Sequence, residues 1–419
     1  MPVVIIAQRL RVPTVVGFLL TGIAIGPNAL GLVARPDSVE SLAEVGVVLL
    51  LFTIGLELSL SRIVRMGQWV IRGGGIQILA TIAVIAAIAI GFGRPWRLSV
   101  FAGALFALSS TAIVLKVYND RSELDTAHGR IVVAILLFQD LCVVPLMLAG
   151  PLLAGTGASV AASLRTIALS VIVVAALVLG GRLVVPRALR RVAELRNREI
   201  FTLSVVFIGL SAAYVTSAFG MSLALGAFLA GLIISESDYG LQALSDILPF
   251  RDTFSGIFFI SVGMLLDLGY IASRLLAVVS MALAVMVVKT LIIILVVRLL
   301  KRSLRVGVLS GLGLAQVGEF SFVLAGSGMA LGLLDTAQYQ IFLGASVLTM
   351  LAAPFVIAAA EPAAEWATRT THQPNVVIPT TEMPVVRALR DHVIIVGYGL
   401  NGRNLALALE TAQIPYVVL

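Results

Sequence analysis

Charged side chains inside long apolar runs are the first residues with a chemical role in this sequence. Asp140, Lys289 and Glu319 each interrupt such a run, and Gln139 adjoins the aspartate. Burial disfavours the charged form of a carboxylate, so a buried aspartate can release a bound cation and take up a proton in its place. We therefore predict that Asp140 exchanges a proton for a cation, with Gln139 offering a neutral oxygen and an amide beside it.

Lys289 is predicted to act together with Asp140. A buried ammonium group needs a compensating anion, and Asp140 is the most economical partner if their helices meet. A bound cation and Lys289 would then compete for one carboxylate. The alternative is a lysine whose stem carries its charge to the membrane interface, which fits less well because Arg298, at the basic end of the run, is far away.

Oxygen-bearing and glycine-bearing segments at two equivalent points of the chain predict a cation site formed by interrupted helices. Hydroxyl, amide, carboxylate and unwound carbonyl oxygens are hard ligands that suit an alkali cation. The candidate ligands are Asp140, Ser109, Ser110, Thr111, Gln316 and Glu319. The alternatives are that the hydroxyls bond back to the preceding helical turn and that Glu319 neutralises helix ends.

Composition places these residues in a membrane. Hydrophobic residues make up 59% of the 419 residues, charged residues 12%, and the mean hydropathy is +1.07. These values exclude a soluble globular or disordered chain. One cysteine, Cys142, and three histidines exclude a disulfide framework and a cysteine-rich metal site. The net charge of +7 does not indicate nucleic acid, because the basic residues lie in short loops between apolar runs.

The elements that position these residues are about twelve predicted membrane spans in residues 1–360, preceded by what is interpreted as the remnant of a longer first helix. The predicted spans are 13–33, 39–60, 64–91, 98–119, 127–153, 159–187, 199–219, 221–236, 253–267, 274–299, 304–331 and 337–360. Lysine and arginine are concentrated in the loops of one side, which predicts that this side is cytoplasmic. The segment after residue 360 leaves on the same side.

An internal repeat relates the two parts of this region. The glycine-bearing segment from Gly17 to Gly22 matches the one from Gly226 to Gly231 at an offset of about 209 residues, and Pro145 matches Pro354. An odd number of predicted spans separates equivalent points, so the repeat is predicted to be inverted, as in many secondary transporters. The alternatives are a duplicated channel and a chance register.

The last segment predicts a nucleotide-binding fold. Residues 361–390 are polar and contain proline, which is typical of a linker. In residues 391–419 a strand-like run precedes Gly397, Gly399 and Gly402, and helix-like and strand-like runs follow them. This is the context of the dinucleotide-binding fingerprint, the first β-α-β of a Rossmann domain. The acidic ribose-binding residue is expected about 20 residues after the glycines, near the end of the chain, so we expect 391–419 to be the start of a larger domain.

The sequence resembles the bacterial Kef-type potassium/proton antiporters of the second monovalent cation:proton antiporter family. The matching stretches are GFLLTGIAIGP (17–27), GVVLLLFTIGLEL (46–58), LSSTAI (108–113), LLFQDL (136–141), LGAFLAG (225–231), FFISVGM (258–264) and AQVGEF (315–320). The resemblance implies an all-α polytopic membrane protein with a sodium/proton-antiporter-like fold and two crossed discontinuous helices. It implies Asp140 as the ion-binding carboxylate and Lys289 as the membrane lysine. It also implies a homodimer in the lipid of the inner membrane and a cytoplasmic potassium-conductance-regulator domain binding NAD(H), AMP or ATP.

The predicted function is thus exchange of K⁺ or Na⁺ for H⁺ by alternating access, without a cofactor in the membrane region. A ligand-gated potassium channel is the alternative, but a Thr-Val-Gly-type carbonyl filter is absent from the sequence. A nicotinamide enzyme does not fit, because no catalytic domain follows the glycine fingerprint.

Overall fold

The computed structural model describes most of the apolar region and short parts of the last segment. The described residues are 14–33, 36–57, 68–154, 160–219, 222–369, 393–396, 405–406, 408–410, 412 and 414–418. They divide into two compact units, residues 1–367 and 368–419.

All regular secondary structure among the described residues of the first unit is helical, as expected where no water is present to satisfy the backbone. Its helices are α1 (Thr14–Ile25), α2 (Pro36–Glu57), α3 (Gln68–Gly91), α4 (Trp96–Ala107), α5 (Thr111–Asp120), α6 (Ala127–Ala154), α7 (Val160–Glu194), α8 (Arg198–Ala218), α9 (Leu223–Ser235), α10 (Gly240–Met264), α11 (Leu268–Ser273), α12 (Leu275–Leu299), α13 (Leu304–Gly313), α14 (Phe320–Ala330), α15 (Thr336–Ala358) and α16 (Ala360–Arg369).

Seven helices of the described region are long and apolar enough to cross a membrane by length and composition, and an eighth is added if the two parts of bent α10 count as one span. Each predicted span falls on one helix or on a pair of consecutive helices. The predicted span 253–267 starts where the second part of α10 starts, since α10 bends by 47° between Gly240–Phe250 and Thr253–Met264. The linker predicted from residue 361 begins with helix α16, in which Pro362 lies in the first turn where its missing N–H costs no bond.

The predicted spans 98–119 and 304–331 are both interrupted in the structure. Residues 108–110 separate α4 from α5, and residues 314–319 separate α13 from α14. After the first interruption, the Ser110 hydroxyl accepts a hydrogen bond from the Ile113 N–H and restarts the helix.

Two helix pairs in the first unit are built alike. In each pair, glycines bring the backbones so close that a Cβ would overlap a carbonyl oxygen of the opposite helix. On α1 and α10 the contacts are Gly22 with Ile260 and Gly263 with Leu19; on α9 and α2 they are Gly231 with Phe52 and Gly55 with Phe228. The second set reproduces the first at the offset of about 209 residues, so the repeat found in the sequence is also present in the packing. We refer to α1–α6 as the first repeat and to α9–α15 as the second.

The second unit contains a two-stranded parallel sheet. Strands β1 (Val393–Ile395) and β2 (Tyr416–Val418) pair with Val393 opposite Tyr416. A parallel pair requires a crossover connection, as the predicted β-α-β has. The fingerprint residues Gly397, Gly399 and Gly402 lie outside the described residues, so their predicted role stays a prediction.

Candidate functional site: a buried carboxylate at two helix interruptions

Asp140 lies in the middle of α6 and is 7% exposed. The Thr111 hydroxyl lies 3.1 Å from each of its carboxylate oxygens. Thr111 is the first residue of α5, so the carboxylate also faces a helix N-terminus, where the backbone dipoles favour negative charge. The arrangement holds the carboxylate with one hydroxyl donor and leaves coordination positions on both oxygens for another ligand.

The two interruptions contact each other beside this carboxylate. The Gly318 N–H donates to the Leu108 carbonyl at 3.1 Å, and the Ser109 hydroxyl donates to the Leu314 carbonyl at 3.0 Å. Glycine is required at 318, because a Cβ there would lie 2.6 Å from the carbonyl carbon and oxygen of Ser109. Ser109 and Gly318 are also equivalent positions of the repeat. The two halves therefore meet at their matching points.

Lys289 binds the interruptions and not Asp140, which corrects the predicted pairing. Its ammonium group is fully buried and donates to the Leu108 carbonyl at 2.7 Å, the Ser109 hydroxyl at 2.9 Å and the Gln316 carbonyl at 2.7 Å. Helix ends leave carbonyl groups without intrahelical partners, and inside a membrane no water replaces those partners. The partial negative charge of these oxygens stabilises the ammonium without a carboxylate.

Gln139 is fully buried and joins the first interruption to α3. Its Oε1 accepts a hydrogen bond from the Ser109 N–H at 2.8 Å, and its Nε2 donates to Oε1 of Gln77 at 2.8 Å. Gln77 is a member of the site that the sequence analysis missed. The available signal was a pair of polar residues, Gln77 and Thr81, one helical turn apart in an apolar span.

Glu319 is buried at the start of α14, and its carboxylate lies beside the Ser110 hydroxyl and the backbone of Ala112. Its Oε2 has no hydrogen-bond partner among the described residues. Both side-chain amide atoms of Gln316 also lack a partner within the described part of the chain. A cation or a water would satisfy the Glu319 and Gln316 oxygens, whereas the Gln316 amide nitrogen needs an acceptor such as water.

A cavity of about 770 Å³ leads to the carboxylates. Its lining residues are Thr14, Val15, Phe18, Leu50, Ile54, Glu57, Thr111, Ala112, Leu115, Lys116, Leu137, Asp140, Leu244, Ser255, Phe259, Glu319 and Phe320. Glu57, the last residue of α2, also lies on the cavity wall. Glu319 and Glu57 both contribute negative potential at Asp140, which favours a cation in the cavity.

The candidate ligands divide into two groups. Asp140, Thr111 and Glu319 line the cavity, whereas Ser109, Ser110 and Gln316 do not. The hydroxyls of Ser109 and Ser110 already bond to protein groups, and the backbone carbonyl of Gln316 accepts a hydrogen bond from Lys289. No cluster of three or more histidine, cysteine or acidic side chains suited to a resident metal occurs in the described ranges.

Comparison with known proteins identifies the family of this helical unit. The chain is 34% identical over 414 residues to the K(+) efflux antiporter 1, chloroplastic, of Arabidopsis thaliana; these residues are 97% of this chain and 34% of the relative, so the chain spans about a third of that protein. The fold is similar to two structures of the sodium proton antiporter MjNhaP1 from Methanocaldococcus jannaschii. One, at pH 8, has a TM-score of 0.64 and 17% identity and covers 87% of this chain and 94% of that one. The other has a TM-score of 0.55 and 18% identity and covers 87% and 92%.

Each of these relatives carries the name of an antiporter. The sequence pattern of one transmembrane family matches residues 1–360, the whole region that holds the carboxylate, the interruptions and the cavity. The chain therefore belongs to the transmembrane sodium/hydrogen exchanger family.

Proposed function

We propose that this chain exchanges a monovalent cation, K⁺ in the first place, for protons, and that Asp140 binds the two in turn. The observation that carries the proposal is the position of Asp140. Its carboxylate is buried at the wall of a large cavity, and Thr111 is the only side chain of the described region that hydrogen-bonds to it. A cation entering the cavity neutralises the carboxylate, and a proton does so when the cation leaves.

Asp140, Thr111 and Glu319 are the proposed cation ligands. All three present oxygen atoms to the cavity, and oxygen is the ligand that alkali cations prefer. Ser109, Ser110 and Gln316 act one layer further out, because their oxygens hold the two interruptions together. Lys289 stays charged in this scheme and stabilises the interruptions, which is consistent with electroneutral exchange.

Alternating access is proposed to follow the Kef-type pattern implied by the sequence. The interrupted helices cross where Ser109 meets Gly318, and they move with α6 against the glycine-packed pairs α1–α10 and α9–α2. The inverted repeat supports this scheme, since each half can take the role of the other at the opposite face. The apolar outer faces of α7 and α8 contact lipid or a second copy in a homodimer.

The proposed orientation follows from the basic loops. The cavity is lined by Glu57 and Lys116, each next to a loop of the arginine-rich side, so it opens toward the cytoplasm of a cell in whose inner membrane the chain lies. The last segment then also lies in the cytoplasm, where its β-α-β unit regulates transport by binding NAD(H), AMP or ATP.

K⁺ is proposed as the cation because the Arabidopsis relative is a K⁺ efflux antiporter by its name. The MjNhaP1 structures carry the name of a sodium antiporter, so Na⁺ is the competing candidate.

Proteoliposomes loaded at acidic pH test the proposal. Addition of K⁺, Na⁺ or Li⁺ outside should alkalinise the lumen in a saturable, cation-dependent manner, and the order of rates identifies the cation. Asp140→Asn should abolish this signal, because an amide cannot exchange a proton for a cation. Persistence of pH-dependent exchange in Asp140→Asn would refute the assignment. Cation flux without proton movement would indicate a channel.

A further inference from the structure

Gln77 connects the backbone of the first interruption to the side chain that precedes Asp140. It is fully buried in α3. Its Nε2 donates to the Ala107 carbonyl and to the Thr81 hydroxyl, both at 3.1 Å, and its Oε1 accepts from Gln139 Nε2 at 2.8 Å. Each amide of this pair also bonds to a backbone group: Gln77 to the Ala107 carbonyl and Gln139 to the Ser109 N–H.

The two backbone groups fix the direction of both amides. The Ser109 N–H can only donate, so it requires Gln139 to present its oxygen there and its NH₂ group to Gln77. Gln77 must then turn its oxygen to Gln139 and its NH₂ group to the Ala107 carbonyl. The pair has one arrangement in which every bond is made, and this arrangement sets the backbone on both sides of Leu108.

Gln77 is the counterpart of Lys289 in the other repeat. Ala107 and Gln316 are equivalent positions at the offset of about 209 residues. Gln77 donates to the first carbonyl and Lys289 to the second. The helices that carry them, α3 and α12, are also equivalent, and the two side chains differ in register by a single helical turn. Each repeat thus sends one buried donor to the same carbonyl of its interrupted helix.

Close packing keeps α3 where Gln77 can make both contacts. A Cβ on Gly74 would overlap Phe138 of α6, and a Cβ on Gly103 of α4 would lie 2.6 Å from the Ile82 carbonyl of α3. Gln77 lies between these two contacts along α3. Its amide is therefore held by the packing of three helices and has little freedom to follow a moving partner.

We propose that Gln77 is a positioning residue for the cation site: its amide holds Gln139 and the first interruption in the geometry that presents Thr111 to Asp140. This inference rests on the proposed antiport function. Gln77 does not line the cavity, so it acts through Gln139 and Ser109. Its loss frees the Gln139 amide to rotate and leaves the Ala107 carbonyl unpaired, which disturbs the backbone leading to Thr111.

The test compares cation kinetics of Gln77→Met with those of wild type in proteoliposomes. Methionine preserves the length of the side chain and removes both hydrogen-bonding functions. We expect the KM for the preferred cation to rise about tenfold, with the maximal rate reduced less and the K⁺ to Na⁺ preference diminished. A KM and a preference equal to those of wild type would overturn the inference.

A double-mutant cycle separates positioning from general damage. If Gln77 acts in part through Gln139, then Gln77→Met combined with Gln139→Met should raise KM by clearly less than the product of the two single effects, and the remainder reports the bond of Gln77 to the Ala107 carbonyl. Independent, multiplying effects would refute the mechanism. Thr53→Val is the matched control. Thr53 is also buried, and the bond of its hydroxyl among the described residues is to the Leu49 carbonyl of its own helix, so the variant should retain the wild-type KM.

Thr81→Val provides a second variant if Gln77→Met is not recovered in folded form. It removes one acceptor of the Gln77 amide and leaves the other bonds, so KM should rise about two- to threefold; an unchanged KM would count against the inference. If the proposed function fails, Asp140→Asn still exchanges ions. If the inference on Gln77 alone fails, Asp140→Asn abolishes exchange while Gln77→Met keeps the wild-type KM and cation preference.

Discussion

Replacement of Lys289 tests the assignment of this residue to the helix interruptions. Lys289→Met keeps the length of the side chain and removes the ammonium group, which leaves the Gln316 backbone carbonyl without its donor and the Leu108 carbonyl with the Gly318 N–H alone. Three charge-assisted hydrogen bonds at 2.7–2.9 Å are lost. Such bonds contribute about 1.5–3 kcal/mol each, whereas the charge costs several kcal/mol to bury. The three bonds outweigh the burial cost by a few kcal/mol, so the net expected loss of unfolding free energy is about 2–4 kcal/mol.

The assay is unfolding of the purified protein in mixed micelles, followed by circular dichroism as the fraction of denaturing detergent increases. Lys301→Met, which removes an exposed lysine, is the control and should stay within about 0.5 kcal/mol of wild type. A loss below about 1 kcal/mol for Lys289→Met would refute the reasoning, because loss of the donor to the buried Gln316 backbone carbonyl alone should cost about 1–3 kcal/mol.

A double-mutant cycle then separates the two candidate partners of Lys289. If the ammonium binds the interruptions, Lys289→Met and Ser109→Ala should show a coupling energy of about 1 kcal/mol or more. The coupling of Lys289→Met to Asp140→Asn should be smaller. A larger coupling to Asp140 would restore the direct ion pair that the sequence suggested.

Three further predictions concern the cavity and the contact between the interruptions. Thr111→Val removes the hydroxyl that bonds to the Asp140 carboxylate and should raise the KM for the cation about tenfold in vesicle assays. Thr111→Ser keeps the hydroxyl and should have a KM near that of wild type. Equal KM values for the two variants would contradict a ligand role. Gly318→Ala places a methyl group 2.6 Å from the Ser109 backbone and should lower thermal stability in detergent by an amount equivalent to about 1–3 kcal/mol. Gly326→Ala is the control, because its methyl group meets open space. Similar stability of the two variants would show that the contact is loose. Glu57→Gln should raise KM about two- to threefold at low ionic strength and less when choline chloride screens the cavity mouth; a salt-independent effect would exclude electrostatic attraction.

The sequence was informative wherever a residue conflicted with its surroundings. Asp140 and Lys289 were identified because a charge in an apolar run is costly, and the structure places both at the interruptions. The interruptions themselves were predictable from glycine and hydroxyl clusters inside long apolar spans, because these residues weaken helices or bond to the local backbone.

The partners of these residues were not predictable in the same way. Opposite charge suggested that Lys289 pairs with Asp140, but its acceptors include backbone carbonyls. Every residue has a backbone carbonyl, so this kind of partner leaves no pattern in the sequence. Only the three-dimensional meeting of two helix ends concentrates such carbonyls at one point. Gln77 was missed for a related reason, since a neutral amide in an apolar span is a weak signal until its partners are known.

The symmetry of the backbone and the asymmetry of its charges together explain how one chain forms one ion site. The glycine contacts and the meeting of Ser109 with Gly318 repeat between the halves, so the frame can adopt equivalent states at either face. The charges do not repeat: the residue equivalent to Asp140 at the offset of about 209 is Thr349, whose hydroxyl accepts the Val317 N–H at 3.1 Å. The second repeat therefore uses this position to hold its interrupted helix, and its buried lysine, Lys289, holds both interruptions. In the proposed mechanism, a symmetric frame whose proton-exchanging carboxylate, Asp140, has no counterpart in the other repeat moves one binding site between two faces, as exchange of a cation for a proton requires.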